Sequence, residues 1–373
     1  MLRIGITGQQ GFVGTHLYNT LGLHPEEFER IDFQKNFFEN KTHLDAFVSR
    51  CDVIVHLAAM NRHHDPEVIY TTNVGLVNTL IASLERTGSK AHVILSSSSQ
   101  EKLNNLYGKS KKEGRELLVL WATNANSTFT GMVIPNVFGP FGHPNYNSVI
   151  ATFSHQIARG ETPKIQVDGD LKLIYVGELV NEILNKIRER QNESVYLVSH
   201  TSEAKVSELL ALLQGYKMGY QDKGEIPVIK NTFELNLFNT FRCYMDIVNH
   251  FPVKLVEHTD PRGSFVEVIR LGTGGQVSFS TTVPGITRGN HYHTRKIERF
   301  AVIKGKALIQ LRRIGTGEVL NFYLDGNEPA YVDMPIWYTH NIKNIGDEVL
   351  YTNFWINEFY DPNDPDTYFE NVQ

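Results

Sequence analysis

The chain has 373 residues, which is too long for one ordinary hydrophobic core and suits two or three domains. Its hydrophobic and charged fractions, 41% and 21%, are those of a soluble globular protein, and a formal net charge of -5 disfavours an extended nucleic-acid-binding face. No run approaches the roughly 18 apolar residues of a membrane helix, and no cleavable leader precedes the first apolar run. We therefore expect a cytoplasmic protein that binds neither nucleic acid nor membrane. Cys51 and Cys243 are the two cysteines, and their separation predicts neither a disulfide nor a thiolate metal site.

Residues 1 to about 200 alternate short apolar runs with amphipathic runs. The apolar runs cover 3–7, 29–33, 53–57, 92–96 and 130–134, and the amphipathic runs cover 12–23, 67–85 and 108–122. Because strands that alternate with crossover helices form parallel sheets, this pattern predicts an α/β fold with a doubly wound parallel sheet. A further helix is predicted over 202–215.

The pattern changes after about residue 250. Short alternating or apolar stretches separated by Gly, Pro and Asn turns then follow one another, at 263–271, 276–283, 299–303, 306–312 and 349–356. Such a series predicts an antiparallel sandwich or barrel. We place the boundary near residue 248, which gives predicted domains of 1–247 and 248–373.

A glycine-rich segment lies between the first predicted strand and the first predicted helix. Residues 7–14 read Thr-Gly-Gln-Gln-Gly-Phe-Val-Gly, in the position that a dinucleotide-binding motif requires. Gly8 suits the tight turn, Gly11 lets the backbone approach a pyrophosphate, and Gly14 allows close helix packing. The helix N-terminus offers unpaired N–H groups to the phosphates. The predicted cofactor contacts in this segment are Gly8, Gln10, Gly11, Phe12 and Val13.

The choice between NAD and NADP depends on residues near the second strand. Asp32 ends that strand, where a carboxylate accepts the adenosine ribose hydroxyls and favours NAD. Lys35, Arg3 and Arg62 are basic groups that could bind a 2'-phosphate instead. We leave both cofactors open at this point and favour NADP(H).

A tyrosine and a lysine stand four residues apart in the segment Tyr107-Gly-Lys-Ser-Lys111. On a helix they lie one turn apart, so that the ammonium can lower the pKa of the phenol. This pair and the glycine spacing resemble the extended short-chain dehydrogenase/reductase family, which has a Rossmann-type fold. The resemblance implies that Tyr107 donates a proton and that Lys111 binds the nicotinamide ribose. It also implies that Ser98, or alternatively Ser97, binds the substrate carbonyl.

The same resemblance extends to other positions in the N-terminal half. Leu57, Ala58 and Ala59 match the segment that lines the adenine and ribose side of the cofactor, and Asn73 matches an asparagine of the next helix. Asn136 matches a substrate contact. The segment 98–107 is shorter than in sugar epimerases and dehydratases of the family.

The C-terminal region contains a metal-binding pattern. His291 and His293 are one residue apart, so on a strand they point to the same face, and Glu298 can return to that face after a turn. The spacing from Gly285 to Gly305 fits the first cupin motif, and residues 335–344 resemble the second, which implies that His340 is the fourth ligand. Three imidazoles and a carboxylate suit several divalent metals, of which we expect zinc.

Residues 260–267 and 288–292 resemble the cupin-type dTDP-sugar 3,5-epimerases, and the implied fold is a jelly roll. The resemblance implies that Arg262 and Arg288 bind the nucleotide diphosphate. His291 cannot bind a metal and also serve freely as the base, so the base stays open. We place Tyr338 and Lys296 among the catalytic residues, and Tyr292 and Glu267 are further possible bases.

Together the two halves resemble the bifunctional enzymes of capsular polysaccharide synthesis. That resemblance implies a homodimer and a UDP-linked 4-keto-6-deoxy amino sugar as substrate. The cupin domain would epimerise C3, and the reductase domain would then reduce C4 with NADPH to UDP-N-acetyl-6-deoxy-talosamine, a precursor of UDP-N-acetyl-L-fucosamine. The alternative is a single-activity 4-keto-sugar reductase whose cupin domain serves only dimerisation or structure. A third reading, a dehydratase or 4-epimerase, needs further acid or base groups beside Ser98 that the sequence does not show.

Overall fold

A computed structural model describes all 373 residues. The chain divides into two compact units, of which the first comprises Met1–Thr152 and Val167–Val206 and the second Phe153–Gln166 and Ser207–Gln373. Residues 207–247, which the predicted boundary assigns to the N-terminal domain, therefore make most of their contacts within the second unit. The functional domains 1–247 and 248–373 stay a prediction. In neither unit does a helix have the length and apolar character needed to cross a bilayer.

The first unit alternates strands and helices. Its strands are β1 (Leu2–Thr7), β2 (Phe28–Ile31), β3 (Val53–His56), β4 (His92–Ser98), β5 (Phe129–Ile134), β6 (Asn136–Phe138), β7 (Asp170–Tyr175), β8 (Glu193–Leu197) and β9 (Ser202–Lys205). Its helices are α1 (Phe12–Leu21), α2 (Lys41–Arg50), α3 (Pro66–Thr87), α4 (Leu106–Ala125), the start of α5 (Val149–Ala158) and α6 (Val176–Glu189), with 3-10 turns at Lys35–Glu39 and Ser99–Lys102.

Six of these strands form a fully parallel sheet in the order β2-β1-β3-β4-β5-β8. Both faces of the sheet are buried. On β3, Val53 and Val55 belong to one apolar cluster together with α1 and α6, and Ile54 belongs to a second cluster with α2, α3 and α4. Alternate side chains thus enter opposite cores, as a doubly wound sheet requires. The predicted α/β fold is confirmed.

The helix predicted from residue 202 is wrong at its start. Residues Ser202–Lys205 form β9, which pairs antiparallel with Asp170–Leu173 of β7, and the helix begins at Val206. Only Ala204 of this strand is buried, so its sequence carries too few apolar side chains to show a period of two. The edge pairing with β7 decides its conformation.

The second unit is mainly antiparallel β structure. Its helices are α7 (Val206–Tyr216), α8 (Thr232–Arg242) and α9 (Ile247–His250), with a π-helical turn at Lys217–Gln221. Its strands are β10 (Glu225–Ile226), β11 (Val253–Lys254), β12 (Glu257–Asp260), β13 (Gly263–Val266), β14 (Arg270–Leu271), β15 (Gln276–Thr282), β16 (Thr287–Tyr292), β17 (Glu298–Lys304), β18 (Lys306–Arg313), β19 (Val319–Asp325), β20 (Ala330–Met334), β21 (Tyr338–Asn344), β22 (Leu350–Ile356) and β23 (Tyr368–Phe369).

Two five-stranded sheets, β11-β20-β17-β22-β15 and β19-β18-β21-β16-β23, form the body of this unit. Inward side chains of both sheets make one apolar core, which includes Ala301 and Val332 from the first sheet and Ile309 and Ile342 from the second. This arrangement confirms the predicted all-β cupin fold. The predicted stretch 263–271 is divided between β13, which pairs with β12, and the short β14.

Candidate functional site

The glycine motif forms a close turn between β1 and α1. Gly8 has φ +79°, and a Cβ atom there would lie 2.8 Å from the backbone nitrogen of Ala58. A Cβ atom on Gly14 would lie 2.2 Å from the carbonyl oxygen of Gly8. Gly11 is the N-cap of α1 and provides no side-chain cap, so the first helical amides stay available for an anion. This geometry fits a dinucleotide pyrophosphate at the helix N-terminus.

A cavity of about 690 Å³ adjoins this turn. Its walls come from the carboxyl ends of the parallel strands, where doubly wound sheets bind their ligands. Most of the predicted cofactor and substrate residues line it, namely Gly8, Gly11, Phe12, Val13, Leu57, Ala58, Ala59, Ser98, Tyr107, Lys111 and Asn136. Gln10, Asp32 and Asn73 are not among the lining residues.

Tyr107 and Lys111 lie in this cavity on the first turns of α4. Asn105 caps the helix through Gly108 N at 2.7 Å, which fixes where α4 begins. Burial raises the pKa of Tyr107 to about 12, and its hydrogen bond to Ser98 opposes that shift. Burial lowers the pKa of Lys111 to about 8, and its ammonium donates to the Ser96 carbonyl at 2.8 Å. The phenol is therefore protonated at neutral pH, with a cation one turn away.

Ser97 has a different environment from Ser98. Its hydroxyl donates to Glu101, whose carboxylate also accepts from the guanidinium of Arg115 at 2.8 Å in a nearly buried ion pair. Glu101 in turn raises the pKa of Lys111, against the effect of burial. Sequence reasoning missed Glu101, because a single glutamate in a short 3-10 turn has no motif of its own. The structure thus brings Ser98 to the phenol and holds Ser97 in a structural pair.

Asn73 is buried and supports the loop that carries Ala58 and Ala59. Its amide oxygen accepts from Met60 N at 2.7 Å, and its amide nitrogen donates to Met60 O at 3.0 Å and to Ser110 Oγ at 3.1 Å. The side chain is buried, so these contacts hold the loop that carries Ala58 and Ala59 against α4. Its place among the direct cofactor contacts stays a prediction.

The groups considered for cofactor choice have internal partners. Asp32 is exposed and accepts from the Tyr18 hydroxyl at 3.0 Å. Arg3 donates to Asp52 through two nitrogens, and Arg62 donates to the carbonyl groups of residues 145 and 146. Of the three basic residues considered for a 2'-phosphate, Lys35 is the one close to Asp32 in sequence, at the start of the 3-10 turn after β2.

The predicted metal ligands come together in the second unit. The ligand atoms of His291, His293, Glu298 and His340 all lie within 4.8 Å of one another. Glu298 Oε2 is 3.0 Å from His293 Nε2, 3.1 Å from His340 Nε2 and 3.9 Å from His291 Nε2. The register explains the grouping, because His291 pairs directly with His340 across β16 and β21. Sequence spacing alone could not show that pairing.

The chemistry of this cluster fits a divalent cation. His293 Nε2, His340 Nε2 and Glu298 Oε2 are buried, and the only polar atoms that they approach belong to this cluster. Buried ligand atoms that converge in this way are stabilised when a cation binds between them. Ligand atoms of a tetrahedral zinc lie about 3.3 Å apart, since each bond is about 2.0–2.1 Å long. The distances of 3.0 and 3.1 Å from Glu298 Oε2 to His293 Nε2 and His340 Nε2 are close to that value. Burial, and to a smaller extent the neighbouring His340, lower the pKa of His291 to about 3. The His291 imidazole is therefore neutral and has a lone pair to donate.

Trp337 lies in the segment 335–344 that resembles the second cupin motif, at the position where the resemblance implies a glycine. Its φ is +62°, a backbone conformation that bulky residues rarely adopt. Trp337 N donates to His293 O at 2.8 Å, and Trp337 O accepts from Ile314 N at 2.9 Å. The left-handed turn is thus kept without glycine, and one of its hydrogen bonds reaches the backbone carbonyl of His293, a predicted metal ligand.

The remaining predicted residues of this unit differ in exposure. Arg262 lies in the β12–β13 hairpin, is 90% exposed and pairs with Asp260, whereas Arg288 on β16 donates to Thr281 O at 3.1 Å. Lys296 is 2% exposed, and its ammonium donates to Pro365 O at 2.7 Å. Tyr338 is half-buried at the start of β21, and burial raises its pKa to about 12. Among the other possible bases, Tyr292 is buried and Glu267 is exposed and pairs with Arg270.

Comparison with known proteins identifies both halves. Residues 4–198 match the NAD dependent epimerase/dehydratase family, and residues 258–368 match the polysaccharide biosynthesis C-terminal domain. The chain belongs to the NAD dependent epimerase/dehydratase family. Membership in this family identifies the ligand of the glycine turn as a nicotinamide dinucleotide. The expected relation to proteins of capsular polysaccharide synthesis is confirmed by the relatives below.

Two relatives match over nearly the whole chain, and a third matches part of it. A Pseudomonas aeruginosa protein named UDP-2-acetamido-2,6-beta-L-arabino-hexul-4-ose reductase is 31% identical over 98% of each chain. The crystal structure of the capsular polysaccharide assembling protein CapF from Staphylococcus aureus is 35% identical, covers 100% of both chains and has a TM-score of 0.63. The Bacillus subtilis spore coat polysaccharide biosynthesis protein SpsL is 28% identical over 30% of this chain and 82% of its own.

Proposed function

We propose that the chain is a bifunctional UDP-sugar enzyme that epimerises C3 of a UDP-2-acetamido-2,6-dideoxy-hexos-4-ulose and then reduces its C4 ketone. The observation that carries this proposal is that each unit contains one candidate site. One is the cavity with Tyr107 and Lys111, and the other is the cluster around Glu298. The full-length similarity to a UDP-hexul-4-ose reductase supports the substrate class.

The chemistry of the sugar determines the order of the two steps. A ketone at C4 acidifies the hydrogen at C3, because the enolate left by proton removal delocalises its charge onto the ketone oxygen. Reduction destroys that ketone and ends the acidity of C3. Epimerisation must therefore precede reduction, and the product of both steps is UDP-N-acetyl-6-deoxy-talosamine, a precursor of UDP-N-acetyl-L-fucosamine.

In the reductase step, residues of the cavity bind the C4 oxygen of the sugar and donate a proton to it. NADPH, when bound at the glycine turn, supplies the hydride that reduces C4. Tyr107 gives its phenolic proton to the developing alkoxide, and Ser98 holds the same oxygen by a hydrogen bond. Lys111 stabilises the phenolate that Tyr107 becomes. Asn136, which lines the same cavity, contacts the sugar.

We propose NADPH rather than NADH as the reductant. Lys35 would bind the 2'-phosphate, since Arg3 and Arg62 already donate to internal partners. Comparison of kcat/KM with the two reductants tests this choice, and a preference for NADH in the wild type would contradict it.

In the epimerase step, His291, His293, Glu298 and His340 would hold one divalent metal, which we propose is zinc. When bound there, such a cation would supply Lewis-acid polarisation of a sugar carbonyl. Arg262 and Arg288 hold the diphosphate of the substrate. Burial keeps Tyr338 protonated, which suits delivery of a proton to C3. Lys296 would act as the base only as the neutral amine, after its ammonium has lost a proton and left the Pro365 carbonyl.

Deuterium exchange separates the two activities. In deuterated water without NADPH, the 4-keto sugar should incorporate deuterium at C3, and chelation of the metal should abolish that exchange. Tyr107→Phe should lower NADPH oxidation by about 10²- to 10⁴-fold, the contribution of a positioned general acid, while C3 exchange continues. The absence of exchange in wild-type protein would support the single-activity reductase, and loss of exchange in Tyr107→Phe would contradict separate sites.

The predicted homodimer and cytoplasmic location are part of this proposal. Exposed apolar side chains on the edge strand β15, such as Phe279 at 72%, support pairing through the second unit. Light scattering of the purified chain should give twice its mass of 42.4 kDa, and a monomeric mass would contradict the dimer.

A further inference from the structure

The loop of residues 294–297, here called the metal loop, connects His293 to Glu298. Its amide N–H groups donate to two side chains far along the sequence. The first three donate to the Asp366 carboxylate at 3.0 Å each, and the fourth donates to Asn357 Oδ1 at 2.8 Å. No amide of the metal loop is used by a neighbouring strand in this arrangement, so these two side chains decide its conformation.

Asp366 contacts a metal ligand directly as well. Its backbone carbonyl accepts a hydrogen bond from His293 Nδ1. That bond places the proton of His293 on Nδ1 and leaves the lone pair on Nε2, the atom that faces Glu298. The Thr294 hydroxyl adds a further hydrogen bond to Asp366 Oδ1 at 2.6 Å.

Asp366 is itself held in an uncommon state. It is 2% exposed and has φ +41°, in the left-handed region. A buried carboxylate requires several donors, and Asp366 has four in the metal loop. A strained backbone conformation persists only where surrounding contacts impose it. The hydrogen bonds between Asp366 and the metal loop therefore account for its left-handed conformation.

We propose that Asp366 is a positioning residue of the metal centre. It ligates nothing itself, but it holds the metal loop and the His293 imidazole in the arrangement that binds the cation. This inference rests on the proposed metal site and adds to it a residue from the 357–369 segment, which lies outside both cupin motifs. Without the carboxylate, three amides of the metal loop lose their acceptors, and the spacing between His293 and Glu298 is no longer determined.

The test measures metal affinity in the full-length protein. Asp366→Gly removes the carboxylate, keeps the backbone carbonyl and tolerates a positive φ without strain. The matched control is Asp364→Gly, because the 67% exposed Asp364 carboxylate contacts the metal loop only through the Arg295 guanidinium and accepts from none of its amides. Zinc titration against a chromophoric chelator should show roughly 10- to 100-fold weaker binding in Asp366→Gly. The control should lose less than about fivefold, the contribution of an exposed ion pair.

A second readout distinguishes positioning from general destabilisation. The visible spectrum of the cobalt-substituted protein reports the ligand geometry, and we expect it to change in Asp366→Gly and to stay unchanged in the control. If Asp366→Gly does not fold, Asp366→Asn, which keeps one acceptor oxygen, should show the same changes to a smaller degree. Unchanged zinc affinity in a folded Asp366 variant would overturn this inference alone. Absence of zinc binding in the wild type would overturn the metal proposal together with it.

Discussion

At the scale of single residues, burial shifts the pKa values of Tyr107 and Lys111 in opposite directions. Burial raises the pKa of Tyr107 to about 12 and lowers the pKa of Lys111 from 10.5 to about 8. The phenol therefore keeps its proton over the whole neutral range, and the cation beside it is lost first as pH rises. The pair favours reduction, in which the phenol must start protonated.

The pH dependence of reduction should follow Lys111. Because its pKa in the folded protein is lower than its ordinary value, its charge is present below about pH 8 and is lost as pH rises through that value. We expect kcat/KM for reduction to fall above about pH 8, and Lys111→Arg, which stays charged, to remove that decline. The exposed Lys109 supplies the control, since Lys109→Ala should leave the profile unchanged. A flat profile in the wild type would contradict this assignment.

Sequence could predict residues whose partners are near in the chain. Tyr107 and Lys111 are one helical turn apart, and His291 and His293 share a strand face, so spacing alone indicates their proximity. Asp366 lies more than 60 residues from the loop that it holds, and Glu101 meets Arg115 only because the 3-10 turn packs on α4. No local pattern carries such contacts, which depend on the folded arrangement.

At the scale of elements, the turn from β1 to α1 depends on close backbone approach. A Cβ atom on Gly14 would lie 2.2 Å from Gly8 O, so the glycine lets the helix start directly over the turn. Gly75 provides a contrast in the middle of α3, because nothing lies within 4 Å of a Cβ atom there. The two helical glycines therefore have opposite requirements.

Alanine at these two positions should have opposite effects. Gly14→Ala should displace the turn and weaken NADPH binding by about tenfold or more, since overpacking costs about 1–3 kcal/mol. Gly75→Ala should raise the free energy of unfolding by about 0.4–1 kcal/mol and leave NADPH binding unchanged. Fluorescence titration with NADPH and urea unfolding measure the two effects. Equal NADPH affinity in Gly14→Ala and the wild type would contradict the role of the turn.

The strand β9 shows where element prediction fails. Its four residues contain one buried side chain, Ala204, and all four are compatible with a helix. Pairing with β7 supplies backbone hydrogen bonds that local propensity does not include. In contrast, β3 has four buried residues in a row, and its apolar run was sufficient to predict it.

At the scale of the whole molecule, a buried polar network joins the helical part of the second unit to its sheets. Arg299 and Asp333 form an ion pair at 2.7 Å with side-chain exposures of 3% and 0%. The Tyr220 hydroxyl donates to the same carboxylate at 2.7 Å, and Arg242 donates to Tyr220 at 3.1 Å. Residues 207–247 therefore share charged partners with β17 and β20, which explains why they group with the second unit.

Removal of the central charge should destabilise the protein strongly. Asp333→Asn leaves the Arg299 guanidinium buried without its counter-ion, and breaking such a pair costs about 3–5 kcal/mol of unfolding free energy. Asp260→Asn is the matched control, because its partner Arg262 is 90% exposed and such pairs contribute about 1 kcal/mol or less. Urea unfolding of the full chain measures both. Equal losses would contradict a structural role for the network.

The chain passes between the two units three times, after Thr152, Gln166 and Val206. A single crossover between homologous genes at residue 247 would therefore divide the second unit, because residues 153–166 and 207–247 would come from one parent and its sheets from the other. Shuffling of this enzyme with its relatives should preserve function only when all the pieces of a unit are inherited together. The two units are thus connected by three passages of the backbone rather than by a single linker.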